Sequence, residues 1–151
     1  MDEFRTVMVD VDGTLANNEH RQHFLDVKPK DWKNFKYNAF YDPPYPDIVW
    51  LVKTLHAAGH TILIVTARTE DEREVTTQWL HEKADLEGIY TKMYMREDGD
   101  YRDDTIIKSE LLDQIRKDGY DPTIVIDDRN RVVKMWRERG ITCLHVRDGN
   151  F

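Results

Sequence analysis

Short β-rich apolar runs alternate along this chain with segments of helical period, and that alternation points to an α/β fold built on a parallel sheet. The runs are Thr6–Asp10, Thr61–Val65, Lys92–Met95, Thr123–Ile126 and Thr142–Val146. Each has the pattern of a strand buried on both faces. Between them, Asp47–Ala58 places Ile48, Leu51, Val52 and Leu55 on one helical face, with Gly59 at the C-cap position. Glu70–His81, Thr105–Lys117 and Asn130–Arg139 read the same way, and Gly119 and Gly140 follow the last two. The expected fold is a central parallel five-stranded sheet flanked by helices.

The stretch 17–46 breaks the rhythm. It is rich in aromatics and prolines and too long for an ordinary βα connection, so it is expected to form a small cover over the C-terminal edge of the sheet. A chain of 151 residues suits one domain, and residues 1–151 are read as one, with 17–46 as an insertion.

Hydrophobic residues make up 40% of the chain and charged ones 34%, too apolar for disorder and too broken by charge for a membrane protein. Met1–Arg5 is polar and leads directly into the first run, which points to the cytoplasm. Cys143 is the single cysteine, so an intrachain disulfide and a cysteine-rich zinc site are excluded, and any metal should be held by oxygen. A net charge of −7 argues against a long footprint on duplex nucleic acid but leaves room for a substrate held at one or two phosphates.

Four constellations carry chemistry. Asp10 and Asp12, in Val9-Asp10-Val11-Asp12-Gly13-Thr14-Leu15, come off the first strand two residues apart and are expected to face one pocket. Such a pair suits phosphoryl transfer, one carboxylate attacking phosphorus beside a bound cation and the other, held protonated, protonating the leaving oxygen. The plainer reading is an acidic turn. Thr66, Ala67 and Arg68 close the second run, where a hydroxyl and backbone N–H groups can hold phosphate oxygens; a turn threonine or helix cap is the alternative. Lys108, near the start of its helix, can neutralise phosphate and nucleophile, with Asp104 either holding its ammonium or capping the helix; alternatively it is solvated. Asp127 and Asp128 end the fourth run, and adjacent like charges favour a cation such as Mg²⁺, although Asp128 also suits a helix N-cap.

In this order and placement the four motifs resemble the signatures of the haloacid dehalogenase superfamily of phosphatases. The second half, from Met95 through Lys108, then Asp127–Arg137 and the closing Asp148–Phe151, is similar to the 3′-phosphatase domains of bacteriophage polynucleotide kinase/phosphatases. The resemblance implies a Rossmann-like fold, Mg²⁺, and removal of a 3′-phosphate from nucleic acid ends or nucleotides. It makes Asp10 the nucleophile and Asp12 the general acid and then base. Arg68 and Lys108 become phosphate-site cations, Asp104 the partner of Lys108, and Asp10, Asp12, Asp127 and Asp128 the metal site. Arg21 and Arg129 are further substrate contacts, and a separate kinase or ligase is an implied partner.

Two departures stand out. These residues contain no Gly-x-x-x-x-Gly-Lys-Ser/Thr phosphate loop, so 5′-kinase activity is not expected of them. The cover is longer and more aromatic than in the phage domains. Its Trp32, Phe35, Tyr37, Phe40, Tyr41 and Tyr45 either stack on a nucleobase or pack the cover onto the sheet. His20 with His23, and His56 with His60, lack the further ligands of a zinc centre. The rival readings are a 5′-nucleotidase or small-metabolite phosphatase with the same chemistry, and a nucleic-acid-end binding module without turnover.

Overall fold

The computed structural model describes residues 3–151; Met1 and Asp2, from the polar opening stretch, lie outside the described residues. Five strands, β1 (Thr6–Val9), β2 (Thr61–Thr69), β3 (Lys92–Arg96), β4 (Pro122–Arg129) and β5 (Thr142–Gly149), form one sheet in the order β3-β2-β1-β4-β5. Every adjacent pair is parallel, so each connection must cross a face of the sheet, which is why helical segments alternate with strands. They are α2 (Pro46–Ala57), a stretch from Glu70 to Lys83 containing α3 (Arg73–Gln78), α4 (Asp104–Lys117) and α5 (Asn130–Glu138).

Side-chain parity divides the core into two layers. Val7, Val9, Ile62, Ile64, Met93 and Met95 point to one face, where Val52 of α2 and Trp79 and Leu80 cover them. Met8, Leu63, Val65, Tyr94 and Val125 point to the other, under Leu112 and Ile115 of α4 and Val132, Val133 and Trp136 of α5. Cys143 belongs to this second layer, and burial pushes its thiol up to about 12, so it serves as a small apolar filler.

The expected strands are all present, with shifted ends. β1 stops at Val9, because the Val11 carbonyl accepts the amides of Thr14, Leu15 and Ala16 and curls the chain. β2 runs four residues beyond its apolar core to Thr69, and β4 and β5 run three beyond theirs to Arg129 and Gly149. Backbone pairing continues there through register shifts while the side chains turn polar, so hydrophobic pattern alone ends the strands early. The helix expected over 70–81 is a 3-10 turn (Glu70–Glu72), then α3, then a π-helical turn (Trp79–Lys83). The wider final turn lets the adjacent Trp79 and Leu80 both reach the core.

Segment 17–46 contains two 3-10 turns, Glu19–Leu25 and Asn38–Tyr41, around the short helix α1 (Trp32–Tyr37). Its ends are tied together where the Asn17 amide bonds the Pro43 carbonyl and the Tyr45 amide bonds the Leu15 carbonyl, each at 2.8 Å. The aromatics divide: Phe35, Phe40 and Tyr45 are partly buried, whereas Trp32, Tyr37 and Tyr41 stand exposed. Packing accounts for the first three.

Candidate active site

β1 is the central strand, and the chain winds outward from it in both directions. The crevice beyond the carboxyl ends of β1 and β4 is therefore the switch point at which open α/β sheets bind ligands. The turn after β1 delivers Asp10 and Asp12 to this crevice, the last residues of β4 deliver Asp127 and Asp128, and the first turns of α4 deliver Lys108.

Lys108 shares one helix face with Leu112 and Ile115, which lie four and seven residues further on. That face is buried, so the lysine goes in with it and is 3% exposed. Its ammonium donates to Asp10 Oδ1 at 2.9 Å and Asp127 Oδ2 at 2.8 Å. Burial opposes its charge, but the two carboxylates outweigh burial and raise its pKa well above the usual lysine range. Asp127 also accepts the indole N–H of the buried Trp136 at 3.1 Å, and the Lys108 charge holds its pKa low against the effect of burial. Burial and the neighbouring Asp127 push Asp10 well above the ordinary carboxylate range, against the pull of Lys108. Asp128 is raised by the same two causes.

The Thr14 hydroxyl donates to Asp10 Oδ2 at 3.0 Å and lies 3.4 Å from Asp128 Oδ1. Gly13 adopts φ +82°, and a Cβ there would stand 2.0 Å from Asp128 Oδ2, so glycine is required both by the turn and by the carboxylate against it. Asp10, Asp127 and Asp128 each offer an oxygen within 4.8 Å of the others, all buried. Three converging carboxylates against one ammonium fit a hard divalent cation, which takes oxygen ligands and favours deprotonated carboxylates. The Asp12 carboxylate is not part of this cluster.

Asp12 faces a second set of charges. Arg68 grips it with two bonds, Nε to Oδ2 at 2.9 Å and Nη2 to Oδ1 at 2.7 Å, and Arg21 Nη2 adds a third to Oδ1 at 2.9 Å. Behind them Asp42, 1% exposed, accepts both Nε and Nη2 of Arg21, at 2.8 and 2.9 Å, and lies 3.5 Å from Arg68. The Trp79 indole donates to the Asp42 carbonyl, and the ring of His20 meets the Asp42 carboxylate at 2.7 Å. Burial pushes Asp12 upward, but the two guanidiniums outweigh it and bring its pKa to about 2. The expectation that Asp12 stands protonated is not met in this arrangement.

Other expected residues fall differently. Asp104 does not hold Lys108; it pairs with Arg96 and Arg129 at the start of α4, and Asp103 provides the cap. Arg129 is tied to Asp104, to the Phe151 carbonyl and to the Phe151 ring, directing its guanidinium to the chain's last residue. The Thr66 hydroxyl accepts the Arg68 amide at 3.1 Å, as a turn threonine does, and the Ala67 carbonyl accepts Arg96 Nε at 2.9 Å. Arg21 is fully buried and central to the Asp12 side of the site, although its loop differs from the phage pattern. Asp42, Thr14 and Arg96 were not anticipated. No local pattern separates Asp42 from the other acidic residues of its segment. Thr14 lies in the quoted first motif, and its proximity to Asp10 was available as a signal.

Comparison with known proteins agrees with this geometry. The chain is 27% identical over 135 residues to a putative bifunctional polynucleotide kinase/RNA ligase of Autographa californica nuclear polyhedrosis virus, covering 89% of this chain and 18% of that protein. A chain of the solved Pnkp1/Rnl/Hen1 RNA repair complex superposes with a TM-score of 0.80 at 30% identity, covering 97% of this chain and 43% of that one. The present chain thus spans less than half the length of either relative. A haloacid dehalogenase-like hydrolase from Streptococcus pneumoniae shares the fold at a TM-score of 0.70 and 16% identity, over 94% of this chain and 84% of that one. Residues 4–151 match the polynucleotide kinase PNKP phosphatase domain, and the chain belongs to that family of haloacid dehalogenase-type phosphomonoesterases.

Proposed function

We propose that this chain is a Mg²⁺-dependent polynucleotide 3′-phosphatase working through a phospho-aspartate on Asp10. The observation that carries the reading is the family match over residues 4–151 together with Asp10 placed between Lys108, Thr14 and the Asp127–Asp128 pair. Residues 1–151 act as one unit, with 17–46 as its cover.

Asp10, Asp127 and Asp128 would hold the cation, which when bound would lower the pKa of Asp10 and offset charge on the phosphate oxygens. Lys108 orients the Asp10 carboxylate and contributes a fixed positive charge beside the incoming phosphate. The Thr66 hydroxyl, already accepting from Arg68, keeps its proton for a phosphate oxygen. Asp10 attacks phosphorus, the bond from phosphorus to the 3′-oxygen breaks, and that oxygen takes a proton from Asp12. Water, giving its proton back to Asp12, then attacks the phospho-aspartate and releases phosphate.

Asp12 is held ionised in the free site, so it must gain a proton before the first step. A phosphate dianion draws the guanidiniums of Arg68 and Arg21 toward itself and weakens their hold on Asp12. Burial then raises the carboxyl and makes it a usable acid.

The test is phosphate release with Mg²⁺ from a 3′-phosphorylated oligonucleotide, a 3′-mononucleotide and their 5′-phosphorylated counterparts, beside an Asp10→Asn protein. Release confined to 3′-phosphates and lost in Asp10→Asn supports the reading; preference for 5′-mononucleotides overturns it in favour of a nucleotidase. The viral relative's name joins kinase and RNA ligase, and the solved complex is one of RNA repair. An end-joining kinase or ligase is accordingly the class of partner proposed for this domain.

A further inference from the structure

One stretch of the cover is basic in an acidic protein. Residues 28–37 contain Lys28, Lys30, Lys33 and Lys36 against Asp31 alone, in a chain whose net charge is −7. Lys33, Lys36 and Tyr37 lie three and four residues apart on α1 and therefore share one side of it. With Tyr41 they form one wall of a groove of about 500 Å³, whose other wall is the helical stretch after β2, including Asp71 and Glu72. Tyr37 is 73% exposed and Tyr41 60%, so both rings offer faces to solvent.

The charges in the groove are unevenly used. Glu72 accepts from the Thr69 hydroxyl, and Lys36 lies within 3.6 Å of Asp71 and 3.5 Å of Glu72, which balances much of the acidic wall. Lys33 makes no ion pair among the described residues. The same helix reaches the chemistry from its other side. Its Phe35 carries the Arg21 guanidinium 4.2 Å above the ring and accepts Arg21 Nη1 on its carbonyl, and Arg21 in turn bonds Asp12. Lys36 also bonds Thr69, the residue after Arg68.

We propose that this groove binds the single-stranded nucleotides immediately preceding the 3′-terminal phosphate, with Tyr37 and Tyr41 stacking on bases and Lys33 meeting the backbone. The proposal rests on the 3′-phosphatase reading and makes the preferred substrate a single-stranded end rather than a mononucleotide. Unpaired bases have free faces for stacking and duplex bases do not, so exposed tyrosines beside a lysine select single strands. The volume lies in the range of roughly 300–1,000 Å³ common for small-ligand sites, enough for a short stretch and not a duplex.

The experiment compares wild type with a Tyr37→Ala/Tyr41→Ala double variant and with Lys33→Gln. One readout is anisotropy of a labelled, unphosphorylated single-stranded oligonucleotide, with a duplex of the same length as control. The other is kcat/KM on the 3′-phosphorylated oligonucleotide and on p-nitrophenyl phosphate, which has no nucleobase. The double variant is expected to lose about tenfold or more in oligonucleotide affinity and in kcat/KM, since each stacked base contributes about 1–3 kcal/mol. Hydrolysis of p-nitrophenyl phosphate should stay at the wild-type level. Lys33→Gln should flatten the slope of log affinity against log salt by about 0.7, the value for one contact on a single strand.

Oligonucleotide affinity equal to wild type in both variants, equal binding of duplex and single strand, or parallel loss on both phosphatase substrates would overturn the groove. Absence of 3′-phosphate release by wild type, with binding still lost in the double variant, would sink the phosphatase reading and leave the groove standing. Release from 3′-ends that ignores the substitutions would do the reverse.

Discussion

The site has two sides made from the same kinds of group. On the lysine side, Asp10, Asp127 and Asp128 face Lys108 alone, leaving two negative charges in excess when all are ionised. On the arginine side, Asp12 and Asp42 face Arg21 and Arg68, and the charges cancel. Each side is anchored by a buried indole N–H, Trp136 on Asp127 and Trp79 on the Asp42 carbonyl. The difference in balance separates their tasks. An excess of buried negative charge calls for a divalent cation, whereas a balanced quartet supports itself and can fix the position and ionisation of Asp12.

The largest effect should come from removing the one cation of the lysine side. Lys108→Met leaves Asp10 and Asp127 without their buried partner, a loss of about 3–5 kcal/mol in chemical unfolding without divalent metal. Added Mg²⁺ should recover part of that stability, because the three carboxylates then bind it more strongly, while phosphate release stays low. If Mg²⁺ restores nothing, the lysine side is not the cation site.

Asp42→Asn breaks the balanced side with a change close in shape. It leaves two buried guanidiniums with Asp12 as their one directly bonded carboxylate, and the expected loss is about 3 kcal/mol. Here Mg²⁺ should stabilise the variant only as much as it stabilises wild type, since the three carboxylates of the lysine side are untouched and the excess charge created is positive. Rescue comparable to that of Lys108→Met would abolish the distinction between the two sides.

Gly13→Ala probes the lysine side more gently. The positive φ alone costs about 1–2 kcal/mol, and the new methyl group must displace the Asp128 carboxylate. The Mg²⁺ concentration for half-maximal phosphate release should rise, with the arginine side unaffected. An unchanged Mg²⁺ dependence would remove Asp128 from the proposed cation ligands.

The two sides were also unequally legible. Asp10, Asp127, Asp128 and Lys108 lie at a strand end or in a helix's first turns, and apolar periodicity locates such positions in the sequence. Lys108 lies four and seven residues before Leu112 and Ile115 and so shares their buried face, although the sequence alone leaves it open between a buried and a solvated lysine. Asp42 and the hold of Arg21 depend on how an irregular segment folds back between α1 and the sheet, which no period encodes. Asp104 misled for a related reason. Its place in the first turn of α4 was readable, but whether a first-turn carboxylate faces Lys108 or the arginines outside depends on Arg96 and Arg129, which lie on β3 and β4.

The smallest effect lies outside both sides, at the cap that fixes the start of α4. Asp103 accepts the hydroxyl and amide of Thr105 and pairs with Arg131 of α5, and these bonds hold its carboxyl below the usual range. Asp103→Ala should cost about 1 kcal/mol at neutral pH, as for other lost N-caps. A depressed folded pKa stabilises the fold above the unfolded value near 3.9, and that contribution is lost as the pH falls through the lower folded value. The gap between wild type and Asp103→Ala in denaturant midpoints should therefore narrow from neutral pH to about pH 3 and keep closing below it. A gap that stays constant would mean that the neutral carboxyl caps as well as the ionised one. The pairing with Arg131 would then add nothing, and α4 would owe its placement, and that of Lys108, to the buried face alone.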